Sequence, residues 1–318
     1  MQVVRYDSTY RQRWDEFNRT AKNGHFLFFR DYMEYHADRF RDGSLLFFEA
    51  DKLVALLPGT IAGEQYVSHG GLTFGGFIID RRMTAPRMLR LFDALVPALV
   101  ERGLSTLVYK AIPHIYHQVP AEEDLYALFR HGATLIRRDI SSTLALRARL
   151  PYTKGRKWSV NQGKKRGIVV AQSEDFARFM AIEEHVLGTR YGLKPVHSAE
   201  EIAMLAGKFP ANIKLFAASL DEEMHAGVIV YENAQVAHAQ YISSTDEGKG
   251  MGAADRIIDY LINEYYADKE YFDFGISTEQ AGRYLNEGLI ENKESFGARS
   301  VVYDFYELAL SCANPSRL

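Results

Sequence analysis

Read by hydrophobic periodicity, the 318-residue chain gives one order of elements twice over, and this duplication limits the possible folds more than any single motif does. In the first half, short apolar runs at 44–49 and 52–58 flank the polar turn Ala50-Asp51, and further strand-like runs lie at 65–68 and 72–79. A helix is expected over 85–101, with Met88, Leu91, Phe92, Leu95, Val96 and Leu99 on one face, then a strand at 105–110, a helix at 122–130 and a strand at 134–146. In the second half, strands at 213–220, 224–231 and 234–243 precede a glycine-rich loop at 245–252 and a helix to about Tyr266. A strand at 271–274, a helix at 279–287 and a strand at 300–308 close the repeat. Strands precede each long helix, so the fold class is α+β with mixed sheets: two tandem domains, each a mostly antiparallel central sheet flanked by helices. The expected boundaries are 1–150 for the first domain, 151–167 for a basic linker and 168–318 for the second.

Between the halves, residues 147–167 hold eight Lys or Arg and no acidic residue. Such a block is a solvated face or a local anion site, and Trp158 within it is expected to anchor the segment rather than stack on a base. The chain as a whole has 38 Lys+Arg against 41 Asp+Glu, a net charge of -3, so no global basic field exists for wrapping DNA. Cys312 is the single cysteine, which rules out an internal disulfide and a cysteine-clustered zinc site. His114 and His117 have no third ligand at suitable spacing, so no metal is expected. No apolar run approaches the length of a membrane span, and residues 1–7 show no secretory pattern, so a cytoplasmic protein is expected.

The stretch from Tyr241 to Asp255 carries the most chemistry. A strand ending in Ile242 and Ser243 runs into Gly248-Lys249-Gly250-Met251-Gly252-Ala253, where a helix begins. Glycines let backbone N–H groups converge, and a helix start adds unpaired N–H groups with the positive end of the dipole. Together they predict a phosphate cradle, to which Lys249 adds a cation.

Residues 247–252, Glu-Gly-Lys-Gly-Met-Gly, resemble the acyl-CoA-binding segment of the GNAT acetyltransferase superfamily, with Glu247 where that pattern has Gln or Arg. Phe272-Asp273-Phe274-Gly275 with Asn286, the segment 293–298 and the basic segment 161–168 resemble the Fem-type branch, whose members carry two tandem GNAT-like domains. The resemblance implies transfer of an acyl group from acetyl-CoA or another acyl-CoA to an amine acceptor such as a sugar, peptide or cell-envelope precursor. A donor carried on aminoacyl-tRNA is the alternative, as is a non-catalytic binding protein that keeps the fold. It also implies that Lys293 stabilises charge near the reacting ester, that the strand at Tyr241, Ile242 and Ser243 offers an N–H to the donor carbonyl, and that the segment after the first helix shapes the acceptor site.

The acceptor-site candidates are therefore Arg190, Tyr191 and His197, with His197 a possible general base and Tyr241 a proton donor to the leaving group. Asp273 is a candidate to orient the amine, and Asn286 is a further substrate-binding candidate. In the first half, His69 in a glycine-rich run and Tyr116 in a proline-bounded loop are candidates for walls of the acceptor groove. No glycine lies between Asp80 and Pro86, so a single donor site is expected, in the second domain.

Overall fold

The computed structural model describes residues 1–310 apart from the side chains of Arg190 and Tyr191. It divides into two compact units: Met1–Asp139 with Gln280–Arg283 and the chain from Val302, and Ile140–Glu279 with Tyr284–Val301. The second unit thus begins before the basic segment, and the chain returns to the first unit at its end. Cys312 lies outside the described residues.

The first unit contains β1 (Gln2–Arg5), α1 (Arg11–Thr20), α2 (Arg30–Met33), β2 (Leu45–Glu49), β3 (Lys52–Leu57), β4 (Thr60–Ala62), β5 (Gln65–Val67), β6 (Ile78–Ile79), α3 (Ala85–Val100), β7 (Thr106–Lys110) and α4 (Glu123–Arg130). β1, β2, β3 and β6 form one antiparallel sheet. β5 pairs with β4 and, in parallel, with β7, which pairs in turn with the C-terminal strand Arg299–Ala309. The expected face of α3 is the core: Met88, Leu91, Phe92, Leu95 and Leu99 pack with Phe47, Phe77 and Tyr109. The expected strand at 72–79 shrinks to two residues. The segment before it runs too close to neighbouring backbone and side chains for a regular ladder, with Gly76 at φ +86° against Tyr109.

β8 (Thr134–Ala145) carries the chain into the second unit. There follow α5 (Lys154–Lys165), β9 (Val169–Ser173), α6 (Phe176–Tyr191), α7 (Ala199–Lys208), β10 (Ile213–Leu220), β11 (Glu223–Glu232) and β12 (Val236–Ser244). Next come α8 (Asp246–Met251), α9 (Ala253–Tyr260), β13 (Tyr271–Ile276), the short pair β14 (Thr278–Glu279) and β15 (Tyr284–Leu285), and α10 (Glu287–Glu294). The strand order is β8-β13-β12-β11-β10-β9, antiparallel except for the β12–β13 pair. One face packs on α9 through Val228, Val230, Ala237, Ala239, Ile257 and Ile258, joined by Phe272, Phe274 and Phe296.

Three expectations need correction here. The glycine-rich loop is the helix α8, capped by Thr245 Oγ1 accepting from Gly248 N at 2.9 Å. The helix expected over 279–287 is the β14–β15 hairpin, because Gln280, Ala281 and Gly282 all take positive φ; the helix starts only after Asn286. The basic block contains α5, docked on α9 through Val160 and Gly163, while Trp158 is 65% exposed and anchors nothing. The docking is close because a Cβ at Gly252 would stand 2.6 Å from Ser159 O; Gly252 itself sits at φ +72° between α8 and α9.

Candidate functional site

β12 and β13 are hydrogen-bonded only at Val236–His238 against Tyr271–Asp273, after which the two strands part. Two local features open the gap. On β12 a bulge at Gln240 interrupts the register with β11, where Ile229 faces Tyr241 but Val230 faces Ala239. On β13, Gly275 at φ +76° turns the strand, and a Cβ there would press on His238 Cε1 at 3.3 Å. Lys293 then fixes the turned end. Its Nζ donates to Gly275 O at 2.9 Å and Ile276 O at 2.7 Å. Burial lowers the Lys293 ammonium to about 8, opposed by the nearby Asp273 carboxylate.

Where the strands part, a cleft of about 350 Å³ is lined by Ile242, Ser244, Gly248, Lys249, Gly252, Ala253, Ala254, Asp255, Phe274 and Lys293, with Arg156 also on its wall. No side chain caps α9, so its first-turn N–H groups open on this cleft. Asp255, in that first turn, is occupied by Arg156 and by Ser159 Oγ. Arg156 also stacks over Phe296, 4.1 Å from the ring centroid. An uncapped helix start with Lys249, Lys293 and Arg156 around it is suited to an anion. Glu247 does not line the cleft: its side chain is 72% exposed and lies 3.9 Å from His225 Nδ1.

Of the donor-binding expectations, Ile242, Gly248, Lys249, Gly252 and Ala253 thus meet at one cleft. Met251 is buried in the core, and Gly250 faces open space away from the cleft lining. Ser243 is buried and pairs with Gly227, against which Phe179 of α6 packs, so it faces the opposite side of the sheet.

That opposite face holds two hydrogen-bonded pairs. His197 Nδ1 and Tyr241 OH are 2.7 Å apart, both buried. His238 Nδ1 donates to Asp273 Oδ2 at 2.7 Å. Asp273 is wholly buried, and its other oxygen accepts from Ser141 Oγ at 2.5 Å and Thr143 Oγ1 at 2.7 Å. Burial works to raise its carboxyl, but His238 and the two hydroxyls overcome this and hold it at about 2. Glu183 of α6 is buried too, and burial raises its carboxyl.

Other candidates lie elsewhere. Asn286 caps α10, accepting from Leu289 N at 3.0 Å and donating to Glu279. In the first unit, His69 is buried at φ +64° with its carbonyl accepting from Lys110 Nζ, and Tyr116 OH is 3.1 Å from Tyr303 OH. Arg190 and Tyr191 have side chains outside the described residues. Among the described residues, no group of three His, Cys, Asp or Glu is arranged for a metal, and no helix is long and apolar enough to cross a membrane. Sequence reasoning missed His238. Its only signal was a polar residue alternating with alanines in an otherwise buried strand.

Residues 148–284, which include the β12–α9 side of the cleft but not Lys293, match the family of the acetyltransferase (GNAT) domain. That segment is similar to a GNAT domain. The chain is similar in fold to FemX, with a TM-score of 0.69 at 11% identity over 98% of both chains. A conserved protein of unknown function from Bacteroides thetaiotaomicron is similar (TM-score 0.63, 13% identity, 98% of this chain and 100% of that one). So is L-PGS from Bacillus licheniformis (TM-score 0.59, 12% identity, 90% of this chain and 93% of that one). No curated protein matches by sequence. The resemblance read from residues 247–252 and 272–298 therefore holds at the level of the superfamily and of the tandem Fem-like fold.

Proposed function

We propose that the GNAT domain transfers an acyl group from an acyl-CoA to an amine, with the donor's phosphates at the start of α9 and its acyl carbonyl in the gap between β12 and β13. The uncapped first turn of α9, opening on the cleft at that gap, carries this reading. The edge of β12 beyond the bulge, where its pairing with β13 has ended, suits a carbonyl that becomes an oxyanion during transfer. Tyr241, with His197 behind its hydroxyl, stands on the other face of the same strand segment, placed to protonate the leaving sulfur. Lys293 has two of its three N–H groups on carbonyls; it acts first as a positioning residue that keeps β13 turned away, with one N–H left toward the cleft.

Calorimetric titration with acetyl-CoA tests the donor site, using Ala254→Glu as the variant. A carboxylate in the first turn of α9 favours the helix but opposes phosphates in the cleft. The variant should fold as well as wild type and bind acetyl-CoA at least about tenfold more weakly, as repulsion of roughly 1.4 kcal/mol requires. Absence of binding by wild type, or equal binding by both, would count against an acyl-CoA donor. The exposed basic side chains of α5, Lys154, Lys157 and Lys165 around Trp158, favour a second reading in which the donor is an aminoacyl-tRNA. Transfer dependent on charged tRNA, without response to any CoA ester, would select it.

A further inference from the structure

We propose that His238 takes the proton from the acceptor amine and that Asp273 holds it ready to do so. This rests on the acyl-transfer reading above and assigns the proton acceptor within it. His238 sits on the last β12–β13 rung before the strands part, directly across from Asp273 in parallel register. It lies on the face of the sheet away from α9, since its neighbours Ala237 and Ala239 belong to the α9-side core. Its Nδ1 is committed to Asp273. Its Nε2 has no partner among the described residues and is not sealed from solvent, the side chain being 14% exposed.

The Asp273 carboxylate, with no exposed surface and accepting from His238, Ser141 and Thr143, remains ionised. That is an arrangement in which an imidazole is fixed in orientation through Nδ1, leaving Nε2 to meet a substrate. His197 Nδ1 is instead paired with a phenol, the Tyr241 hydroxyl. Among the described residues, the titratable groups on this side of the domain include Tyr231 across from His238 and His225 on β11, Tyr241 on β12, Glu183 on α6 and His197 ahead of α7. Lys293 contributes from beyond Asp273.

His238 and Tyr241 are three residues apart on β12, about 10 Å at the rise of a strand, so a reacting carbonyl between them is within reach of both side chains. The amine nitrogen forms the C–N bond to the acyl carbon while its proton passes to His238 Nε2. The C–S bond breaks, and the sulfur takes a proton from the Tyr241 hydroxyl. Water then carries the proton from His238 back to Tyr241, leaving amide, thiol and the starting site.

Two measurements test this. In the first, carbethoxylation of each histidine by diethylpyrocarbonate is followed by peptide mass spectrometry across pH. His238 should react faster than buried His197 and His225. A His238 as slow as those two overturns the assignment. In the second, thiol release from acetyl-CoA is measured with two probe amines, strongly basic methylamine and weakly basic hydroxylamine. His238→Gln should lose at least about 100-fold with methylamine and far less with hydroxylamine, at unchanged coenzyme A affinity. Equal losses for both amines mean a structural role only and refute the proposal. If acetyl-CoA neither binds nor slows carbethoxylation of His238, it is the donor reading that has failed, while the reactivity of His238 against His197 and His225 still decides whether its ring is open to a substrate.

Discussion

Removing the charge of Asp273 should remove a pH-dependent part of the protein's stability. In the folded state this carboxyl is held at about 2, against an ordinary 3.8, by His238, Ser141 and Thr143 against the opposing effect of burial. A lowering of that size corresponds to roughly 2 kcal/mol of stabilisation. The sign follows from proton binding. Between pH 4 and 2 the unfolded chain takes up the proton before the folded one does, so the contribution is complete above about pH 4 and fades as the pH falls towards 2. Asp273→Asn lacks this contribution at every pH. Urea denaturation of wild type and variant at intervals from pH 5 downwards should show a stability gap that narrows by roughly 2 kcal/mol over the window. The loss of hydrogen bonds from Ser141 and Thr143 adds a pH-independent offset, which the change in the gap excludes. A gap constant from pH 5 to the lowest pH at which both proteins fold would refute the argument that Asp273 is a buried ionised carboxylate.

Gly252→Ala should destabilise by at least about 2 kcal/mol in urea denaturation, since the new Cβ meets Ser159 O in a left-handed backbone, whereas Gly250→Ala should be neutral or gain up to about 1 kcal/mol in open helix. Lys293→Met should alter the slope of stability against pH. The wild-type ammonium titrates near 8 when folded and near 10.5 when unfolded, so wild-type stability rises relative to the variant across that interval, and parallel curves would contradict its burial. Tyr241→Phe leaves His197 Nδ1 without its hydroxyl partner; a cost of about 1–2 kcal/mol in thermal or urea unfolding is expected, and none would show the pair to be energetically idle.

Much of the fold was legible because periodicity reports burial directly. The hairpin around Ala50-Asp51, the apolar face of α3 and the strands β10 to β12 all follow from alternation or 3.6-residue spacing. What escaped was local and set by backbone contact. Three consecutive residues at positive φ, two of them not glycine, put a hairpin where composition suggested a helix. Glycines read as a ligand loop proved to be partly a packing surface, with Gly252 answering to Ser159. The anchor of α5 is Val160 and Gly163, small and inconspicuous beside Trp158. For the candidate site, the residues meeting at the cleft were visible from the strand-to-helix junction. The His238–Asp273 pair was not, because it depends on a parallel register between strands 35 positions apart in sequence.

A rung missing from the middle of a sheet has two mouths. The turned end of β13, pinned by Lys293, ends the pairing with β12 beyond His238, with the start of α9 on one face of the sheet and His197 and His238 on the other. Two substrates that met there would enter by separate doors, and neither would have to leave before the other arrived. Initial-rate lines drawn at several fixed concentrations of one partner would then converge instead of running parallel.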